Sequence, residues 1–465
     1  MRRAELTFAL VIVLIMGGSW ALDGIVPSKT AGTPVTAGTP VTASATTAPL
    51  SEAWFCPAPS AQGLGSSIWT ANLGTGPVHV RRSGTGASGA TAEADLGAGT
   101  FGGLPAAPSA ANVPVSVEAF GGATGSHVSV LAPSVGGATG RCSRQPGTRW
   151  LFPIASTAPG YDTYLLVTNP FLEEAVVTVR VLTDNGDQIP SGLSHVEIPQ
   201  RSQTSVFLGD FFPETASIGL DVTASRGRVV VGQLMRVAAR NGARGIGLDV
   251  GATAPSTQWL LPGGDVPASG EEDIVVANPS DHEALVSTVY LVESGTGPVG
   301  VQDVPVPAGG RKALKVSDQV PGGTRHATIL TSTNGVPVVA ERLTTGPQGA
   351  YHTVQGVPAP ATRWMVAAGS AAGGTDTLAL VADGPDRAVC KVTILTMAGP
   401  VAPAALAGVA VTPGQRASVD LTPYLNGGPA TVLVEAITGK VAVENDLVLP
   451  AAYRETMETA GTALG

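Results

Sequence analysis

Along most of this chain apolar and polar residues alternate with period two in short runs, and no window carries the 3.6-residue repeat of an amphipathic helix. The runs come in groups. Each group opens on a tryptophan phrase: AWFCP at Trp54, RWLFP at Trp150, QWLLP at Trp259 and RWMVA at Trp364, spaced 96, 109 and 105 residues apart. An apolar run with an abrupt stop follows, as IWTANLG, LLVTNP, IVVANP and LALVADGP. In the last three groups a short alternating run ending in Pro comes next, HVEIP, DVPVP and VAVTP, and after it TSVFL, KALKV and ASVDL. These groups close on two adjacent runs that read as a hairpin, such as IGLDVTASRGRVVVGQL. A recurring order of this kind is one structural unit copied along a chain. The first copy is eroded in its middle, GASGATAEADLGAGTFGG.

About seven short strands per copy, with turns between them, predict an all-β chain of tandem immunoglobulin- or fibronectin-like antiparallel β-sandwiches. The expected units are 51–145 (degenerate), 146–240, 255–346 and 360–450, with a C-terminal tail at 451–465. Trp54, Trp150, Trp259 and Trp364 are expected to be buried landmarks of the repeat. The pairs Asn169–Pro170 and Asn278–Pro279 read as strand terminators, because Pro has no backbone donor for the ladder and Asn bonds its own backbone in a turn.

The segment ahead of the copies has a different composition. A basic end (MRRAE), an apolar stretch and a small-residue region make residues 1–26 a signal peptide or a membrane anchor, expected to be helical. Uncharged sequence from Leu6 to Leu22 is at the short limit for a membrane span. Residues 27–50, with TAGTPV in tandem, form a Thr/Pro/Ala-rich stalk that cannot bury enough surface to fold. The expectation is export, either to the extracytoplasmic face of the cell membrane or into the medium. An oxidising compartment agrees with the three cysteines: Cys56 and Cys142, at the two ends of the first copy, are the expected disulfide, and Cys390 falls on the inward face of a strand.

Phrases of the W-F-C-P, N-P and V-x-V-P kind behind an N-terminal hydrophobic segment resemble exported actinobacterial proteins of the family called domain of unknown function 5719. The resemblance covers most of residues 50–450. It implies location and tandem Ig-like architecture, and it brings no catalytic residues. Asp383-Gly384-Pro385 and the eroded first copy depart from the pattern.

Candidate chemistry is sparse. Charged residues are 13% and the net charge is −9, with no Lys/Arg-rich run, so nucleic acid is not an expected partner. The six histidines lack metal-ligand spacing and read as loop or surface residues. GLSHV at 192–196 falls one residue short of a nucleophile elbow and leads into a strand rather than a helix. Neighbouring acids at Glu173-Glu174 and 271–273 point to opposite faces of a strand and read as solvating charge. Aromatics are 5%, and Trp69 is the one tryptophan of the folded part left without a role. No catalytic, cofactor or metal residues are expected. The expected function is a non-enzymatic envelope scaffold or spacer, attached to the membrane by the N-terminal segment if that is uncleaved. The alternative is a module that binds a glycan or a protein in an inter-domain groove.

Overall fold

Period-two segments rich in Val, Leu and Thr pair into antiparallel ladders, and each group of segments makes two sheets that face each other. The computed structural model describes residues 50–59, 64–84, 91–105, 115–132, 135–239, 242–293, 299–346, 349–369, 374–425, 427–448 and 456–464. The 1–26 segment and the 27–50 stalk, Leu50 excepted, lie outside the described residues. Among the described residues there is no α-helix, and none long and apolar enough to cross a membrane.

Four sandwiches follow one another, and each has eight principal strands. Counting strands in chain order within a sandwich, one sheet runs first–sixth–third–fourth and the other fifth–second–seventh–eighth. In the second and fourth sandwiches the fourth strand is split in two, as at Gly186–Gln188 and Val196–Ile198. The eroded first copy keeps the full set, from Ser51–Cys56 to Gly136–Arg141. Immunoglobulin sheets pair first–second–fifth–fourth and third–sixth–seventh. The second–fifth and third–sixth pairings are shared with that order, while the first and seventh strands here sit in each other's sheets.

The closing pair is therefore not a hairpin. In the second sandwich Ile218–Arg226 is the sixth strand and Val230–Ala238 the seventh, and they lie in opposite sheets. The crossing residue is held by the start of the first strand: Gly147 and Val229 exchange two backbone hydrogen bonds of 2.9 Å, and the Trp150 indole donates to the same Val229 carbonyl at 2.9 Å. Trp259 with Val338 (2.7 Å) and Trp364 with Val441 (2.6 Å) repeat this, and Trp54 donates instead to the Thr124 hydroxyl at 3.1 Å. All four indoles are buried.

The second, third and fourth sandwiches also extend past their expected ends. The eighth strands are Gly136–Arg141, Arg244–Val250, Tyr351–Gln355 and Thr456–Ala460, so the last three fall outside 146–240, 255–346 and 360–450. Tyr351–Gln355 and Thr456–Ala460 are short and set among turn residues, while Arg244–Val250 alternates but lies beyond the closing pair at which a copy was expected to end.

The sandwiches do not form an extended string. The eighth strands pack on one another in a closed circuit, first sandwich on second, second on third, third on fourth and fourth on first. The first strand of the second sandwich packs on the seventh of the third, and the first strand of the third on the seventh of the fourth. At the other two junctions Met365 lies against Gly125, and Pro57 against Gly232. Four sandwiches thus stand around one axis with their eighth strands innermost. Such radial repetition covers the sheet edges formed by the eighth strands. It also explains the long apolar runs at the seventh strands, where Val230–Ala238 is buried on both faces, against its own core and against a neighbour.

Candidate functional site

Beyond each eighth strand the chain turns and bridges the first strand of its own sandwich, at Phe55/Ser143, Leu151/Ala252, Leu260/Val357 and Met365/Thr462. The turns meet around the axis at one end of the ring. They enclose an open cavity of about 960 Å³ to which all four sandwiches contribute, through Ser51–Trp54, Arg141–Gln145, Val250–Ser256, Gln355–Pro358 and Thr462–Ala463. Trp54, Trp150 and Trp259 stand behind its wall, at most 1% exposed. The surface facing the cavity is therefore turn backbone, small apolar side chains such as Ala53, Ala254, Pro255 and Pro358, hydroxyls such as Ser143 and Thr253, the Gln145 and Gln355 amides, and two guanidinium groups.

Both guanidinium groups are paired. Arg141 meets Asp249 through Nη2 (2.7 Å) and Nε (3.0 Å), and its Nη2 also donates to Gln355 Oε1 at 3.2 Å, so three sandwiches are tied at the floor. Burial works against the Arg141 charge, but Asp249 outweighs it and raises the pKa above the ordinary arginine value. Arg144 meets Glu52 at 2.6 Å and lies 5.3 Å over the Trp54 ring, while the same carboxylate accepts the Thr124 amide at 2.8 Å. Below the floor Glu341 accepts the Ile154 amide at 3.1 Å. Burial first, and then the charge of Asp249, push its carboxyl up to about 8 against the hydrogen bonds it accepts. Among the described residues the lining holds no histidine and no free thiol. A balanced set of charges among hydroxyls and amides suits an uncharged, hydrogen-bonding ligand.

The sequence landmarks are not gathered into this mouth. Cys56 and Cys142 are joined, with Cα atoms 4.4 Å apart, and Cys142 lies on the rim. Asn169 and Asn278 are buried where their second strands end, each beside its proline, Pro170 or Pro279. Asn169 Oδ1 accepts the Phe171 amide (3.0 Å), and its Nδ2 donates to Glu173 O (2.7 Å) and, across to the other sheet, to Ile198 O (3.1 Å). Asn278 repeats the set with Ser280, His282 and Val306. Asn72 does the same in the eroded copy, with Gly74, Gly76 and Leu96. These asparagines stop a strand and also staple the two sheets.

Three histidines are buried, contrary to the loop or surface reading. His127 stacks on Phe101 at 5.9 Å and burial lowers its pKa to about 3; His326 Nε2 is 3.1 Å from the Glu272 carboxylate; His352 lies on an eighth strand. His326 lies inside its own sandwich, 5.7 Å from the Tyr290 ring, whereas His127 sits at the seam between the first and fourth sandwiches, on a strand face that an isolated sandwich would leave wet. Trp69 is explained in the same way: it stacks on Phe101 at 5.0 Å and packs in the apolar cluster joining the first and fourth sandwiches, with its indole on Ser129 at 2.8 Å. Arg141, Asp249, Glu341 and Gln355 gave no sequence signal, because they come from three copies and meet only when the ring closes.

Among known proteins, the family described as "Family of unknown function (DUF5719)" matches residues 105–271 and 250–460. No curated protein matches. One similar solved structure is the Streptomyces avermitilis α-L-rhamnosidase complexed with L-rhamnose, at 8% identity over 80% of this chain and 54% of that one, with a TM-score of 0.13. The chain spans about half the length of that structure. A likeness this low carries no argument.

Proposed function

For a chain that belongs to the DUF5719 family of unknown function, we propose the role of an exported, non-enzymatic ring scaffold that holds an uncharged polar chain, a glycan end or a peptide segment, in its axial mouth. The observation that carries this is the lining: four sandwiches supply hydroxyls, amides and turn backbone to one cavity of about 960 Å³, and its charges, Arg141 with Asp249 and Arg144 with Glu52, are matched. That volume lies in the range of ligand sites. The disulfide, with the apolar N-terminal segment, supports placement outside the cytoplasm. The Ig-like description applies to the sandwich architecture, with the strand order given above.

The test is a screen of the full chain against neutral envelope polysaccharide fragments and peptides, repeated with Thr253→Trp, which fills the mouth without touching the floor. Binding that Thr253→Trp abolishes is the expected result. Binding that persists would move the site elsewhere, and no binding at all would return the chain to the spacer reading.

A further inference from the structure

The chain holds four Asn-Gly pairs, at Asn185, Asn241, Asn334 and Asn426. Such pairs are turn formers first, since Asn bonds its own backbone and Gly accepts positive φ. Asn241 and Asn426 lie outside the described residues. The other two sit in turns of equal openness. Asn185 is at the tip between the third and fourth strands of the second sandwich, and Asn334 is in the crossing between the sixth and seventh strands of the third. Both asparagines are exposed, and the glycines that follow have φ of +123° (Gly186) and +77° (Gly335). A Cβ added to either glycine would meet nothing within 4 Å.

What separates the two is hydrogen bonding. Asn334 Oδ1 accepts the Leu285 amide (3.1 Å), the Ser332 hydroxyl (3.2 Å) and the Val336 amide (3.4 Å), and its Nδ2 donates to Glu283 O at 2.8 Å. The Asn185 side chain makes no hydrogen bond among the described residues. Its backbone amide alone is held, donating to Thr183 Oγ1 at 3.3 Å. One carboxamide is locked and the other is free to turn.

We propose that Asn185 is a self-modifying site, at which the folded chain converts its own asparagine to an aspartyl or isoaspartyl residue while Asn334 is spared. The reaction needs only water and base. Hydroxide takes the proton of the Gly186 amide, and that nitrogen attacks the side-chain carbonyl carbon of Asn185. A C–N bond closes a succinimide ring and the bond from that carbon to Nδ2 breaks. The departing nitrogen takes a proton from water and leaves as ammonia, which returns the hydroxide. A second water opens the ring at either carbonyl. Glycine after the asparagine puts no Cβ in the path of attack. Asn334 has to give up its bonds first, each worth a factor of about two to ten.

The position gives the change a consequence. Thr183 bridges in parallel to Gly310 of the third sandwich, Asp184 lies 3.9 Å from Arg311 Nε, and Thr183 Oγ1 donates to Gly186 O at 2.7 Å. A new carboxylate between Asp184 and Asp187, with a longer backbone path in the isoaspartyl form, loosens this seat on the next sandwich.

The experiment ages the full chain in mildly alkaline buffer and follows tryptic peptides 181–201 and 326–342 by mass spectrometry, with isoaspartyl residues identified by fragmentation. In the folded chain peptide 181–201 should convert about tenfold faster than 326–342, and the gap should close in urea, where the bonds of Asn334 are lost. Aged parent should melt lower than fresh parent. Asn185→Gln, whose longer side chain closes a ring far more slowly, should keep its melting temperature through the same treatment. An unconverted 181–201 peptide, equal rates in the folded chain, or a gap that survives in urea would overturn the proposal. Equal loss of melting temperature in aged parent and aged Asn185→Gln would overturn the link to the junction.

Discussion

Glu341 and Glu444 occupy equivalent places on the seventh strands of the third and fourth sandwiches, and each accepts an amide from the preceding sandwich, Ile154 at 3.1 Å and Gly263 at 3.0 Å. Glu444 is met by Arg342; at the position of Arg342 the second sandwich carries Gln233, which turns to the Ile154 carbonyl at 2.9 Å. Glu341 is thus a buried acid with an amide where its counterpart has a cation. Its pKa rises from 4.5 to about 8 on folding. Near pH 4 both folded and unfolded chains hold the proton and no stability is lost. As pH rises the unfolded chain releases its proton first, so stability falls until the folded carboxyl has ionised too, near pH 8. The whole loss is about 3–5 kcal/mol. Glu341→Gln should keep the Ile154 contact and flatten the slope; thermal melts at pH 5 and pH 9 for parent and variant check this. The buried asparagines set a second expectation. Asn278→Ala strands the carbonyls of His282 and Val306 and should cost about 2–3 kcal/mol, read by denaturant titration. The sequence showed Asn169 and Asn278 as stops, from the proline beside them. Their cross-sheet bonds were hidden, because the partner carbonyls lie 29 and 28 residues away.

At the scale of strands and turns, the tryptophan phrases were legible because large residues recur at fixed places, and each indole does fill the same corner. Trp150→Ala removes that filling and the hold on Val229, and should cost about 3–5 kcal/mol in chemical denaturation. The disulfide sits on the same framework. Where Cys142 stands, the later sandwiches have Gly251 and Gly356, pressed against Phe152 and Leu261, which occupy the place of Cys56. A large residue over a glycine has been exchanged for two linked cysteines of intermediate size. Replacing both by Ser opens a loop of 86 residues and should cost about 4–5 kcal/mol in the chain-entropy account. The sixth and seventh strands were misread because adjacency in sequence suggests a hairpin, whereas the Trp indole and its neighbouring amides draw the crossing residue between sheets. Burial of Cys390 was readable from alternation with Lys391 and Thr393, and burial raises its thiol to about 11.

The ring was not legible at all. Period-two alternation reports one covered face, and the outer faces of a sandwich are covered here by other copies, through contacts such as Met365 on Gly125 that join the fourth copy to the first. Ser51 and Ala463 line the same mouth, so the two ends of the ring approach each other. A permutant that joins them by a short linker and opens the chain between Ala254 and Pro255 should therefore fold, with an unchanged near-ultraviolet circular dichroism spectrum. Its loss would show that the order of synthesis matters to assembly. Three junctions are crossed by the chain itself, while the fourth, between the last sandwich and the first, rests on side-chain packing around Trp69, Phe101 and Met365, with a hydrogen bond from Arg363 to Leu73 O. Among the described residues every sandwich is built from its own contiguous strands, with no strand exchanged across that seam. The molecule is consequently a clasped bracelet rather than a welded hoop. Its clasp is kept shut by the high effective concentration that the other three links impose on its two halves, and when it springs open the Trp69 indole should meet water and become quenchable by iodide, while the amides of the flanking strands stay bonded in their own ladders.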